Sequence, residues 1–168
     1  DSVKVALSGL GGDELFGGYS HFRRHQLAER TAPWVRGLGL RPLLRALPFR
    51  FRHNLSLPAL DPAERLATLR CQRSDRDKRR ILTGAFLEEV EAVPLATHLA
   101  GLLREGLDGF SQLSLAELEG YLARTLLRDG DATSMWHSLE VRPMLLDHHL
   151  VEYAFALSDP LSADFDGA

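Results

Sequence analysis

Cysteine is nearly missing from this 168-residue chain: Cys71 stands alone, so no internal disulfide can staple the fold. Long apolar runs are missing too. No stretch approaches the roughly 18 consecutive apolar residues that a membrane-spanning helix needs, so no membrane partner is expected. There is no initiator methionine, no basic leader and no small-residue cleavage site before the apolar run Val3-Lys4-Val5-Ala6-Leu7. The chain is therefore expected to be a piece of a longer protein, working in a reducing, soluble compartment such as the cytoplasm. No repeat and no low-complexity tract interrupts it.

What is present suffices for one core: 45% of the residues are apolar, and a domain of about 150 residues buries roughly 70% of its unfolded surface. Net charge is only −3, but residues 21–80 carry +10 and the remainder −13. That arginine-rich block can be read as a surface for an acidic partner or as a solvated helical face. The second reading is preferred, and nucleic acid is not expected, because no aromatic stacking pattern accompanies the arginines.

Periodicity predicts a mainly α fold with one N-terminal buried strand. Val3 to Leu7 is short, rich in β-branched residues and closed by Ser8-Gly9, the pattern of a strand buried in a parallel sheet. Its neighbours would lie upstream in the parent or come from a second copy, so a homo-oligomer formed through the strand edge is one expectation. Apolar spacings of three and four predict helices near 20–30, 34–47, 63–73, 75–92, 95–105, 115–128 and 147–157. Ser114 with Glu117 fits a capping box, Ser74 with Asp77 a weaker one, and Asp147 is a candidate N-cap. The stretch 48–62, with three prolines, reads as an irregular connection.

Two constellations carry polar chemistry. The first, Ser8-Gly9-Leu10-Gly11-Gly12-Asp13-Glu14-Leu15-Phe16-Gly17-Gly18-Tyr19, follows the strand directly. Glycines 9, 11 and 12 permit positive φ and close approach of a ligand, backbone N–H groups could face an anion, and Asp13 could hold the magnesium that accompanies phosphates. A tight strand-to-helix turn capped by aspartate explains the same spacing. The second runs from Arg128 through Ser134-Met135-Trp136-His137-Ser138-Leu139-Glu140-Val141-Arg142 to Asp147-His148. Here Arg128 or Arg142 could face phosphate, or Arg128, Asp131, Glu140, Arg142 and Asp147 could form a buried ion network. His148 and His149 are adjacent on a helix, point about 100° apart and do not suit one metal. Cys71 reads as a packed thiol.

The residues themselves go further than their spacing. Leu7 to Tyr19 resembles the first signature of asparagine synthetases, Leu-Ser-Gly-Glu-Gly-x-Asp-Glu-Leu-Phe-Gly-Gly-Tyr. Ser134 to His148 resembles the second, Ser-Met-Ala-His-Ser-Leu-Glu-Val-Arg-Val-Pro-Phe-Leu-Asp-His. The resemblance implies the C-terminal part of an α/β domain of the adenine-nucleotide α-hydrolase (ATP pyrophosphatase) type, spanning 1–168. It further implies a ligase that adenylates a carboxylate with ATP and Mg2+ and passes it ammonia from a separate N-terminal glutaminase domain. Ser8 and Gly9 then match nucleotide-lining positions and Asp13 the acidic residue near magnesium and pyrophosphate.

Two departures stand out: Leu10 replaces a glutamate, and Asp129 replaces a phosphate-binding lysine. Pro143-Met144-Leu145 replaces Val-Pro-Phe, a change expected to alter local packing only. The family's pyrophosphate-binding Ser-Gly-Gly-x-Asp-Ser loop does not occur in these residues. The isolated chain is thus expected to be inactive. Aspartate or a related carboxylate would be the acceptor in the parent. The alternative is a nucleotide-binding or assembly module whose chemistry has lapsed or been redirected.

Overall fold

A computed structural model describes residues 3–46, 55–71, 75–92 and 94–157 of the chain. They divide into two units, one made of residues 1–22 and 104–168, the other of residues 23–103.

In the first unit β1 (Val5–Ser8) runs into α1 (Gly12–Phe16), and β2 (Glu140–Pro143) returns beside β1. The two strands pair in parallel with Val5 opposite Glu140 and Ser8 opposite Pro143. The single-strand expectation is therefore corrected. Glu140-Val141-Arg142-Pro143 was hidden among charged residues, and its strand conformation comes from pairing with β1 rather than from its own apolar pattern. Burial is corrected as well: Val5 and Leu7 are exposed while Ala6 and Ser8 are half-buried. With one neighbour and one covered face, the strand alternates like a half-buried one.

Three helical segments follow one another without a break in this unit: α8 (Gly109–Glu117), a π-helical stretch (Leu118–Leu126) and α9 (Leu127–Trp136). The start expected at Ser114 is overturned. Asp108 caps the helix, accepting from the Ser111 N–H at 3.0 Å and from its hydroxyl at 2.6 Å. Ser114 lies a turn and a half inside, buried, its hydroxyl donating to the Glu14 carbonyl at 2.8 Å. A serine and a glutamate three apart fit a cap by sequence, but here both serve a tertiary contact. A 3-10 turn (Met144–Leu146) leads to α10 (His148–Ala156), where Asp147 caps as expected, accepting from the His149 N–H at 3.0 Å. Leu113 and Leu122 are the largest apolar side chains fully buried here.

The second unit is all helical among its described residues. α2 (Ser20–Gly37) enters it at Arg23 and ends where Gly39 takes φ +66, a left-handed conformation that suits glycine. α3 (Arg41–Arg45), a 3-10 turn (Leu57–Ala59), α4 (Pro62–Arg70), α5 (Asp75–Ile81), α6 (Gly84–Ala92) and α7 (Leu95–Ala100) complete it. The helix expected over 75–92 breaks before Thr83-Gly84, both weak helix formers. The Ser74 cap lies outside the described residues, as do residues 48–54 of the 48–62 connection. α4 begins with a full capping box: Asp61 accepts from the Glu64 N–H at 2.9 Å, and the Glu64 carboxylate accepts from the Asp61 N–H at 3.4 Å. Ala28, Leu57, Leu60 and Leu69 form the buried apolar cluster. Buried among them, Arg65 donates to the Leu57 carbonyl at 3.1 Å and lies 3.4 Å from Glu29. Desolvation lowers its pKa against the partial support of Glu29.

Candidate functional site

Parallel pairing brings the two polar constellations to the same end of the sheet. Ser8 closes β1 opposite Pro143, which closes β2, so both signatures open onto the carboxyl ends of parallel strands, where ligands bind in open α/β sheets. Ser8 has its Oγ shielded from solvent with no hydrogen-bond partner. A buried hydroxyl left unpaired costs about 1–3 kcal/mol, so this oxygen marks a position that a polar ligand would complete.

The glycines of the turn divide into two roles. A β-carbon on Gly9 would meet nothing within 4 Å, and its backbone faces open space. Gly11 takes φ +94, and a β-carbon there would run into the Leu146 side chain. On Gly12 it would lie 2.9 Å from Leu145 Cδ1. Of the three, Gly9 alone has open space beside its α-carbon. Gly11 and Gly12 are small because the turn rests on the leucines of the second signature. The Pro143-Met144-Leu145-Leu146 segment, read from sequence as a packing detail, is the floor of the turn. Sequence spacing could not show this, since about 130 residues separate the partners.

Asp13 lies in the first turn of α1 with its side chain exposed, its carboxylate tucked against Gly18 and its carbonyl accepting from the Gly18 N–H at 3.0 Å. Among the described residues no cluster of three or more His, Cys, Asp or Glu side chains could hold a metal ion by itself.

Beneath the turn sits a polar layer that sequence reasoning missed. Glu14 and Glu117 are each only 1% exposed. Tyr19 donates its hydroxyl to Glu14 at 2.8 Å, His21 Nε2 lies 2.9 Å from Glu117, and the Tyr19 and His21 rings stack with centroids 5.3 Å apart. Together with the Ser114 bond to the Glu14 carbonyl, these contacts clamp α1 and the start of α2 onto α8. The available signal was Glu117 itself, an acid inside the run Leu115-Ala116-Glu117-Leu118. Its place in an apparent capping box concealed it.

The second constellation forms no buried ion network. Arg128 and Asp131 are exposed on α9, and Arg142 pairs with Glu140 at 2.7 Å on the surface. That guanidinium lowers the Glu140 pKa by its hydrogen bond. Leu10 Cδ1 stands 3.9 Å from where a β-carbon on Gly130 would sit. The substituted turn residue thus lies against the residue next to the substituted Asp129. Ser138 takes φ +54 between α9 and β2, a strained value for serine at the corner that aims β2. The His148 and His149 rings do meet, centroids 3.8 Å apart.

The asparagine synthase family model matches residues 1–163. The chain belongs to the asparagine synthase family. Membership supports an ATP-dependent, amide-forming ligase with small-molecule substrates. No curated protein and no solved structure matches the chain. Among the described residues no helix is long and apolar enough to cross a membrane.

Proposed function

We propose that this asparagine synthase family chain is the nucleotide-site part of a ligase that adenylates a carboxylate with ATP and passes it ammonia released from glutamine elsewhere in the parent protein. The observation that carries the reading is the unpaired Ser8 Oγ beside the open backbone of Gly9, at the carboxyl end of a parallel strand pair. A free carboxylate is a poor electrophile, and forming its adenylate needs donors that stabilise charge on the departing pyrophosphate. The Ser8 hydroxyl and the Gly9 backbone would line the nucleotide. Asp13 would hold magnesium, which when bound offsets phosphate charge. The buried Glu14, Tyr19, His21 and Glu117 contacts keep the turn in place.

Leucine at position 10 can neither take a proton nor accept a hydrogen bond, and Asp129 places a negative charge where phosphate would be repelled. These two departures support a substrate other than free aspartate, the base being supplied by other groups. The same departures fit the second reading, a nucleotide-binding module whose synthetase chemistry has lapsed. ATP binding without carboxylate-dependent pyrophosphate release, in a protein that also carries the pyrophosphate loop, would decide for the module.

In the full-length parent, Gly9→Val should weaken ATP binding at least about tenfold by calorimetry, because a branched side chain fills the open approach. Unchanged affinity would reduce the turn to a structural corner. The 168-residue chain by itself should release no aspartate-dependent pyrophosphate above a Gly9→Val control. Loss of one well-placed donor already costs roughly 100-fold to 1,000-fold in rate, and the whole pyrophosphate loop is absent from these residues. Release above that control would show the loop to be dispensable.

A further inference from the structure

The three consecutive helical segments of the first unit do not keep one hydrogen-bond ladder. At the end of α8 the Leu118 N–H donates to the carbonyls of Leu115 and Ser114, but at the end of the π-helical stretch the Leu127 N–H donates to the carbonyl of Leu122, five residues back. Burial changes its step at the same point. Leu113 and Glu117 are buried four residues apart, and the next buried side chain, Leu122, comes five residues later. A five-residue step takes up one residue more than the α-helical step, and it is rare outside single turns that recur at functional sites. Here it runs from Leu118 to Leu126 and includes Gly120, a weak helix former.

Contacts on both sides hold the surplus residue in place. Upstream, Ser114 donates to the Glu14 carbonyl at 2.8 Å, and Glu117 meets His21 at 2.9 Å. Downstream, a β-carbon on Gly130 would lie 3.9 Å from Leu10 Cδ1, an ordinary van der Waals contact that does not by itself demand glycine. Leu10, Glu14 and His21 belong to one short segment, which sets the span between the anchors, and the long helix carries one residue more than that span needs. At the far end of α9, Ser138 takes φ +54, a second strained point where a residue can be absorbed. We propose that α9 exchanges between two registers by passing the surplus residue from the π-helical stretch to the Ser138 corner. In the register described above Gly130 faces Leu10. In the other, α9 is shifted by one residue, a rotation of about 100°, and Asp129 takes that place. The exchange sets a carboxylate beside the glycine turn where a bare α-carbon stood. It therefore switches the charge that a ligand of the turn meets, whatever that ligand is. Helix register shifts of this kind run over microseconds to milliseconds. A widened turn that merely filled space would keep Gly130 against Leu10 at all times.

Crosslinking in the full-length parent tests it. Leu10→Cys is combined with Gly130→Cys in one variant and with Asp129→Cys in another, and a short thiol crosslinker is applied to each. Mass spectrometry of the joined peptides counts the pairs and keeps Cys71 out of the count. Both pairs should join. Deleting Gly120 removes the surplus residue, so it should leave the yield of the Gly130 pair unchanged and cut that of the Asp129 pair at least about tenfold. An Asp129 pair that fails to join with Gly120 present, or one whose yield survives the deletion, would overturn the proposal. Stability supplies a second measurement. The Gly120 deletion should keep its urea midpoint at or above that of the wild type, whereas deletion of Ala132 from α9, where no residue is surplus, should lower it. A Gly120 deletion that unfolds the protein or lowers its midpoint would show that the stretch stores no extra residue, and would overturn the proposal equally.

Discussion

The two units place their polar contacts over different distances. In residues 23–103 the hydrogen bonds are mostly short-range: Arg65 reaches the carbonyl of Leu57 eight residues back, with Glu29 of α2 as its ion-pair partner, and Asp61 and Glu64 cap each other at the surface three residues apart. In the unit that carries both signatures the partners are distant. His21 meets Glu117 across 96 positions and Ser114 meets Glu14 across 100. The difference teaches that the candidate site is assembled by long-range polar contacts, whereas the arginine-rich unit is shaped by capping and a small apolar cluster.

The strongest way to break that comparison is to remove one buried partner from each unit. Glu117→Ala should lower stability by about 3–5 kcal/mol, because it strips a buried pair of one member. Hydrogen exchange should speed up at Gly9 to Phe22, a hundred residues from the change. Arg65→Ala should cost about 2–3 kcal/mol by stranding buried carbonyls, with faster exchange confined to residues 55–71. Equal spread of the effect in both variants would erase the contrast.

A smaller effect sharpens the division within the turn. Gly11→Ala should lose about 1–3 kcal/mol in urea unfolding, from positive φ and collision with Leu146. Gly9→Ala should stay within about 0.5 kcal/mol, since nothing surrounds it. Comparable losses at both positions would mean that Gly9, too, is a packing glycine.

The smallest effect concerns caps. Asp108→Ala and Asp61→Ala should each cost about 1 kcal/mol, one in each unit. Burial raises the Asp108 pKa, but the hydrogen bonds from the Ser111 hydroxyl and from backbone N–H groups outweigh it and hold the pKa below the ordinary value. A depressed folded pKa contributes stability above the unfolded value near about 3.9 and loses it as pH falls through the folded value. The gap between wild type and Asp108→Ala should therefore be full at pH 6 and shrink below about pH 4. A gap independent of pH would mean that the neutral carboxyl caps the helix as well as the carboxylate does.

Much was legible without coordinates. Apolar spacing located α2, α4 and α10, the apolar run from Leu150 marked Asp147 as the cap ahead of it, and two ordered signatures named the family. These are short-range properties: helix periodicity, capping and the identity of neighbouring residues are fixed within a few positions of the chain. Ser8, Gly9 and Asp13 could be proposed as site residues for the same reason, because strand, glycine turn and helix start are consecutive.

What escaped had its cause far away in sequence. β2 is a strand because β1 lies beside it, and β1 alternates in exposure because, among the described residues, one of its faces is covered and the other is open. Gly11 and Gly12 are glycines because Leu146 and Leu145 lie beneath them, and Ser114 and Glu117 look like a cap until Glu14 and His21 arrive. The sequence by itself determined the family, most helices and the strand-to-helix turn proposed to line a nucleotide. Tertiary structure alone decided which glycine is open, which carboxylates are buried and how the two signatures meet, because closing loops of about a hundred residues leaves no periodic trace in the chain that forms them.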